Sequence, residues 1–181
     1  MSSLPSVTTI LRSCGLTQFY PNTPDMERAR ARGTALHLAI QWDAEGTLDR
    51  ESLHPEIRPG FDAYREFCFE HGHIAEFSEL ELTHPYGFQG HLDRVGLVGG
   101  ARALIDWKYS DSVDVNGARW QLAGYGLLYA HNYPERPAEK RLVVGLGKDG
   151  RPKITDVTDG YAEQVFTAAV VVYRARMEAK R

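Results

Sequence analysis

Residues 88–109 read FQGHLDRVGLVGGARALIDWKY, two apolar-rich runs separated by Gly99-Gly100. A paired glycine between such runs signals a two-residue hairpin turn, because both turn positions need positive φ, which glycine reaches without steric cost. The pattern predicts strands over Phe88–Val98 and Ala101–Tyr109. Such a turn places Asp93 directly opposite Asp106, with Cβ atoms roughly 5 Å apart. Side chains alternate with period two along a strand, so Leu104, Asp106 and Lys108 share one face, Lys108 opposite His91. Ile105, Trp107 and Tyr109 take the other face, which is expected to be packed. Two carboxylates set face to face repel each other. A divalent cation bridging both is the economical way to offset that repulsion. A bulge would shift the register by one and separate the pair.

Working outward, His73–Thr83 reads as a further strand, with Ile74, Phe77, Leu80 and Leu82 among its apolar residues. Upstream, Ile57–Glu70 reads as a helix ended by Gly72, which makes His71-Gly72-His73 a helix terminus rather than a zinc pair. A long helix starts at Thr23-Pro24-Asp25, with Met26, Ala29, Gly33, Leu36 and Ile40 at core-facing spacing. A short helix spans Ser6–Arg12. Downstream, Val115–Asn132 has helical spacing, with Ala118, Leu122, Tyr125 and Tyr129 on one side. Strands Arg141–Leu146 and Pro152–Val157 surround Asp149-Gly150, and a closing helix starts near Gly160. The order is helix, three strands, helix, two strands, helix, which implies an α/β mixed sheet flanked by helices. No linker or repeat divides the chain, so residues 1–181 are expected to form one domain.

The 181 residues are 43% hydrophobic and 25% charged, which excludes wholesale disorder and fibrous repeats. The apolar run Leu122 to Ala130 is far short of a membrane span. A formal charge of −3 gives no global basic field, so nucleic acid would be met through a local patch or through metal ions. Cys14 and Cys68 are too few for an iron–sulfur cluster or a four-cysteine zinc site, and they read as buried thiols in a reducing compartment. The stretch Met1–Gly15 lacks the apolar run of a signal peptide, so a cytoplasmic location is expected.

Gly90-His91-Leu92-Asp93, Ile105-Asp106-Trp107-Lys108 and Gln121-x-x-x-Tyr125 together resemble the PD-(D/E)xK nuclease superfamily. The similarity is to its RecB-type exonuclease branch, in a small stand-alone form that suggests a phage setting. Gly33-Thr34-Ala35-Leu36-His37 is similar to the Gly-Thr-x-x-His context of that branch, and Ser6–Leu11 to its N-terminal pattern. Leu92 stands where the family name has proline. The iron–sulfur cysteines of the CRISPR-associated subgroup are absent, so no such cluster is expected.

The resemblance implies a restriction-endonuclease-like core, in αβββαβ order, and a Mg²⁺- or Mn²⁺-dependent nuclease acting on DNA as an exonuclease. Asp93, Asp106, His37 and the Trp107 backbone carbonyl would be metal ligands, with Glu79 of Ser78-Glu79-Leu80 as a supporting carboxylate on the strand face it shares with Glu81. Manganese tolerates imidazole better than magnesium does, and whether one ion or two bind stays open. Lys108 would orient the attacking water or hold the scissile phosphate. Gln121 and Tyr125, four apart on one helix face, would have a positioning role beside the nucleic acid. Arg32 and Arg119 are candidate phosphate contacts. Processive digestion by so small a domain would need a homo-oligomer or a helicase or annealing partner. Two other readings stand beside this one: a nucleic-acid-binding module with a degenerate nuclease site, and a metallohydrolase of a small phosphodiester. His37, beside Leu36 and Ile40, also fits a core-edge histidine with a backbone partner.

Overall fold

Gly99 and Gly100 both take positive φ, 60° and 86°, and close a hairpin whose strands pair from Val98–Ala101 to Arg94–Ile105. The computed structural model describes residues 4–17, 22–110 and 112–179; residues 1–3 of the Met1–Gly15 stretch lie outside it. In chain order the elements are α1 (Val7–Ser13), α2 (Pro24–Ala44), a 3₁₀ turn (Arg50–Ser52), α3 (Arg58–Glu70), β1 (Ile74–His84), β2 (Phe88–Val98), β3 (Ala101–Lys108), α4 (Val115–Asn132), β4 (Lys140–Leu146), β5 (Pro152–Asp156) and α5 (Gly160–Glu178). The five strands lie side by side in chain order. Only β3 and β4 are parallel, and α4 supplies the crossover that a parallel pair requires. The expected mixed sheet flanked by helices is what forms.

Local chemistry explains the helix starts. Ser6 accepts a hydrogen bond from the Thr9 N–H at 3.1 Å, Thr23 from Met26 at 3.3 Å, and Asp114 from Gly117 at 3.1 Å. Each satisfies a donor that the helix itself leaves unpaired. Pro24 occupies the first turn of α2, where its missing N–H costs nothing.

Each face of the sheet has its own core. On one side α1, α4 and α5 bury Ile10, Leu122, Leu128 and Phe166 against Leu92, Val95 and Leu104. On the other, α2 and α3 bury Leu36, Ile40, Phe61 and Phe67 against Ile105, Trp107 and Val144. The long helix α2 departs from expectation. Only Leu36, Ala39 and Ile40 are buried, whereas Ala29 is exposed and Met26 and Gly33 are half-buried. Its first turns carry Asp25, Glu27, Arg28 and Arg30, which stay solvated, so the helix docks by its second half. Cys14 and Cys68 are free thiols, half-buried rather than fully buried. Among the described residues no helix is long and apolar enough to cross a membrane.

The sheet is irregular where β1 and β2 pass beneath α2. On β1, Phe77, Leu80 and Leu82 all pack into the α4-side core, although Phe77 and Leu80 are three apart. On β2, Leu92 and Val95 do the same. Two residues in each strand, Ser78-Glu79 and Asp93-Arg94, therefore turn to the α2 side together. Ser78–Arg94 and Leu80–Leu92 remain paired around them, while Glu79 and Asp93 drop out of the ladder. Glu79 takes φ +51°, the one non-glycine residue with positive φ among those described.

Candidate active site

The double kink points two carboxylates at α2. His37 meets them: its Nδ1 lies 3.7 Å from Glu79 Oε1 and 3.8 Å from Asp93 Oδ2. One ligand atom from each of His37, Glu79 and Asp93 falls within 4.8 Å of the others. Nε2 of the same imidazole lies 3.1 Å from the Trp107 carbonyl. Donation of its N–H there directs Nδ1 at the carboxylates, as a lone pair when the ring is neutral and as an N–H when it is protonated. The Trp107 N–H donates to Asp93 Oδ2 at 2.9 Å. The core-edge reading of His37, with a backbone partner, is thus correct about the partner, and the ring reaches the acidic pair as well.

Two expectations about the ribbon need correction. Pairing of β2 with β3 keeps the register set by the turn but stops at Arg94–Ile105, one step before Asp93 and Asp106. The Asp93 side chain takes the Trp107 N–H that a continued ladder would have used. Asp93 therefore reaches His37 on α2 while Asp106 reaches Gln121 on α4, so the two are not paired in the ladder, although each carboxylate still feels the charge of the other. The Trp107 carbonyl, expected as a metal ligand, also faces His37. His91, expected opposite Lys108, lies with Glu79 and Glu81: its Nε2 is 3.0 Å from Glu79 Oε2 and its Nδ1 3.7 Å from Glu81 Oε1. The sequence contained that signal, because Glu81 and His91 are direct partners once β1 and β2 pair.

Asp106 is 1% exposed. Its Oδ1 accepts from Lys108 Nζ at 2.8 Å and from Gln121 Nε2 at 3.2 Å. Gln121 Nε2 also donates to the Tyr125 hydroxyl at 3.0 Å. Asp106 Oδ2 lies 2.7 Å from the Lys108 ammonium yet receives no well-directed hydrogen bond, an incompletely satisfied buried oxygen. Gln121 and Tyr125, predicted to share a helix face, thus act on Asp106 from α4. A groove of about 450 Å³ bounded by Thr34, His37, Gln41, Glu79 and His91 opens on the α2 side. Another of about 250 Å³, bounded by Lys108, Ser110, Ser112 and Gln121, opens on the α4 side.

The carboxylates act across both faces. Burial, and then the charge of Asp106, pushes Asp93 up to about 6. Burial alone would lower His37, but Glu79, Asp93 and the Trp107 carbonyl together raise it to about 8. Burial opposes the charge on Lys108 too, and Asp106 and Asp93 outweigh it, so its pKa rises. Tyr125 is pushed well up by burial and then by Asp93 and Asp106. A carboxylate that holds onto its proton, Asp93, an under-satisfied buried oxygen on Asp106 and a donor set of hard oxygens with one imidazole fit a divalent cation.

The two arginines expected to touch phosphate each face an acidic side chain. Arg32 Nη1 is 3.8 Å from Glu56 Oε2. Arg119 pairs with Asp159, the N-cap of α5, and its guanidinium stands 4.9 Å from the Trp120 ring centre and 5.9 Å from that of Tyr161. Arg119 is thereby tied to α5 through the capping aspartate beside it. His71 caps the C-terminus of α3, as expected of a helix terminus.

Similarities to known proteins bear on the fold and the family. An alkaline exonuclease from Laribacter hongkongensis superposes with a TM-score of 0.54 at 16% identity, covering 97% of this chain and 88% of that one. A protein from Eubacterium rectale, provisionally described as an exonuclease, superposes with a TM-score of 0.53 at 18% identity, covering 93% and 71%. At these identities the likeness is one of fold. No curated protein sequence matches the chain significantly. The sequence profile of one family does match, over residues 57–176, the span from α3 into α5 that includes Glu79, Asp93, Asp106, Lys108, Gln121 and Tyr125. The chain belongs to the PD-(D/E)XK nuclease superfamily.

Proposed function

We propose that the chain is a divalent-metal-dependent DNA exonuclease formed by one domain. The observation that carries this reading is the convergence of His37, Glu79 and Asp93 within 4.8 Å of one another. Asp106 and Lys108 stand next to them at the open end of the ribbon. His37, Glu79 and Asp93 would hold Mg²⁺ or Mn²⁺, with the buried Asp106 completing the acidic set. When bound, such an ion supplies Lewis acidity and neutralises charge on a phosphodiester.

The chain's own groups do the rest. Lys108, anchored by Asp106, presents its ammonium at the mouth of the α4-side groove. There it orients a water or steadies a non-bridging phosphate oxygen as charge grows on it. Gln121 holds Asp106 and is itself held against Tyr125, so the aspartate cannot rotate away from the site. The grooves on either side of the carboxylates give a strand a path across them. Exonuclease activity is supported by the fold shared with the Laribacter enzyme. A homo-oligomer or a helicase or annealing partner would supply processivity.

End-labelled single- and double-stranded DNA, incubated with Mg²⁺ or Mn²⁺, tests this reading. The wild type is expected to shorten the strands from their ends, and Asp106→Ala and Lys108→Ala to leave them intact. Equal degradation by all three proteins, or none by the wild type with either metal, overturns it.

A further inference from the structure

Arg94 is 1% exposed, on the α2 side of the sheet. A guanidinium so deeply buried usually grips a carboxylate, as Arg141 grips Glu163 at 2.8 Å. Arg94 does not. Nη1 donates to Ser78 Oγ at 2.6 Å, Nη2 donates to the Ile40 carbonyl at 3.3 Å, and Nε has no partner. The addresses of those two bonds are informative. Ser78 immediately precedes Glu79, Ile40 lies one helical turn beyond His37, and Arg94 itself follows Asp93. One side chain therefore ties together β1, β2 and α2 beside the three residues whose ligand atoms converge.

The place is also where both strands lose their alternation and where Glu79 adopts its left-handed backbone. Something must hold that conformation, because an unconstrained glutamate would leave it. Burial lowers the pKa of Arg94, and the negative charges of Glu79 and Asp93 are among the influences that oppose this. A cation behind the carboxylates thus also moderates their mutual repulsion.

We propose that Arg94 is a positioning residue: it holds the backbones bearing His37, Glu79 and Asp93 at the spacing a divalent cation requires. The inference rests on the reading of that group as a metal site, and it assigns Arg94 no contact with substrate.

Mn²⁺ affinity, measured by the loss of the free-ion electron paramagnetic resonance signal at 10 °C, is the test. It is applied to the wild type, Arg94→Lys and Ser78→Ala, with circular dichroism confirming that each is folded. Arg94→Lys keeps the charge but cannot reach both acceptors, and its affinity is expected to fall at least about tenfold, as for other residues supporting metal ligands. Ser78→Ala is expected to show a smaller loss. The double variant should bind little worse than Arg94→Lys, because both changes break one link. Wild-type Mn²⁺ affinity in the folded variants, whatever their melting temperatures, overturns the proposal. If Arg94→Lys does not fold, Ser78→Ala decides by itself. Failure of the underlying metal reading looks different: the wild type then binds no Mn²⁺, or Glu79→Gln binds it as tightly as the wild type does.

Discussion

His37 and His73 sit against opposite ends of the same β2–β3 ribbon, and both are drawn partly out of water. Trp107 touches each: its carbonyl lies 3.1 Å from His37 Nε2, and its ring stands edge-on to His73 at 6.2 Å. Yet His37 is raised to about 8 and His73 is lowered to about 4. Desolvation pushes both rings the same way, toward neutrality. At the turn end, His73 has only the Leu97 carbonyl at 3.0 Å to oppose burial, and Arg94 reinforces the loss of the proton. At the other end, Glu79 and Asp93 reverse the sign for His37. One hairpin thus keeps the imidazole at its turn end, the sealed end, neutral, and gathers carboxylates around the imidazole at its open end. The open end exists because the ladder stops one residue early.

The contrast can be broken most severely at the open end. Asp106→Ala is expected to reduce DNA cleavage on the order of 10³-fold. It removes a charge that repels Asp93 but also the partner of Lys108 and Gln121, so the two effects offset and the melting temperature should change little. A large drop in melting temperature instead would mark Asp106 as a structural residue.

Glu79→Gly separates strain from function. Glycine accepts the left-handed backbone freely, so stability in denaturant titration should rise by about 1 kcal/mol. Mn²⁺ affinity should nonetheless fall at least about tenfold. A gain in stability without loss of affinity would remove Glu79 from the site.

The sealed end responds to pH. Unfolded, His73 titrates near 6.5; folded, near 4. Above about 6.5 both states are neutral there and the residue contributes no pH dependence. As pH falls from 6.5 toward 4 the unfolded chain takes the proton first, so stability is lost across that window. The difference between wild type and His73→Gln should reach about 2 kcal/mol, allowing for partial solvent contact. Parallel stability curves for the two proteins would contradict the lowered pKa.

Gly100→Ala acts on the turn itself. A side chain at φ +86° costs about 1 kcal/mol. Unfolding should report that loss while Mn²⁺ affinity stays unchanged, because the open end keeps its own supports. A coupled loss of affinity would show that the two ends are not independent.

The frame of the site was legible in the residues themselves. The Gly99-Gly100 turn, the strand boundaries of β2, the span of α4 and the helix starts at Ser6 and Thr23 all obey short-range rules, in which neighbours along the chain decide the outcome. The kink was only half legible. Apolar residues three apart, Phe77 and Leu80, then Leu92 and Val95, break strict alternation in the sequence. Which face takes the surplus residues depends on what the helices cover, and that is a long-range matter. The partners of His91, Arg94 and Arg119 were hidden for the same reason: Glu79, Ser78 and Asp159 lie 12, 16 and 40 positions away in sequence.

Periodicity and turn chemistry, read from the residues alone, determined which segments become strands and helices, because those rules act over a few residues. Only the tertiary structure decided that Asp93 turns toward His37 and Glu79 while Asp106 turns toward Lys108 and Gln121. The reason is physical: packing against two different helical layers pulls the ribbon apart at its end, and no local preference specifies where a ladder stops.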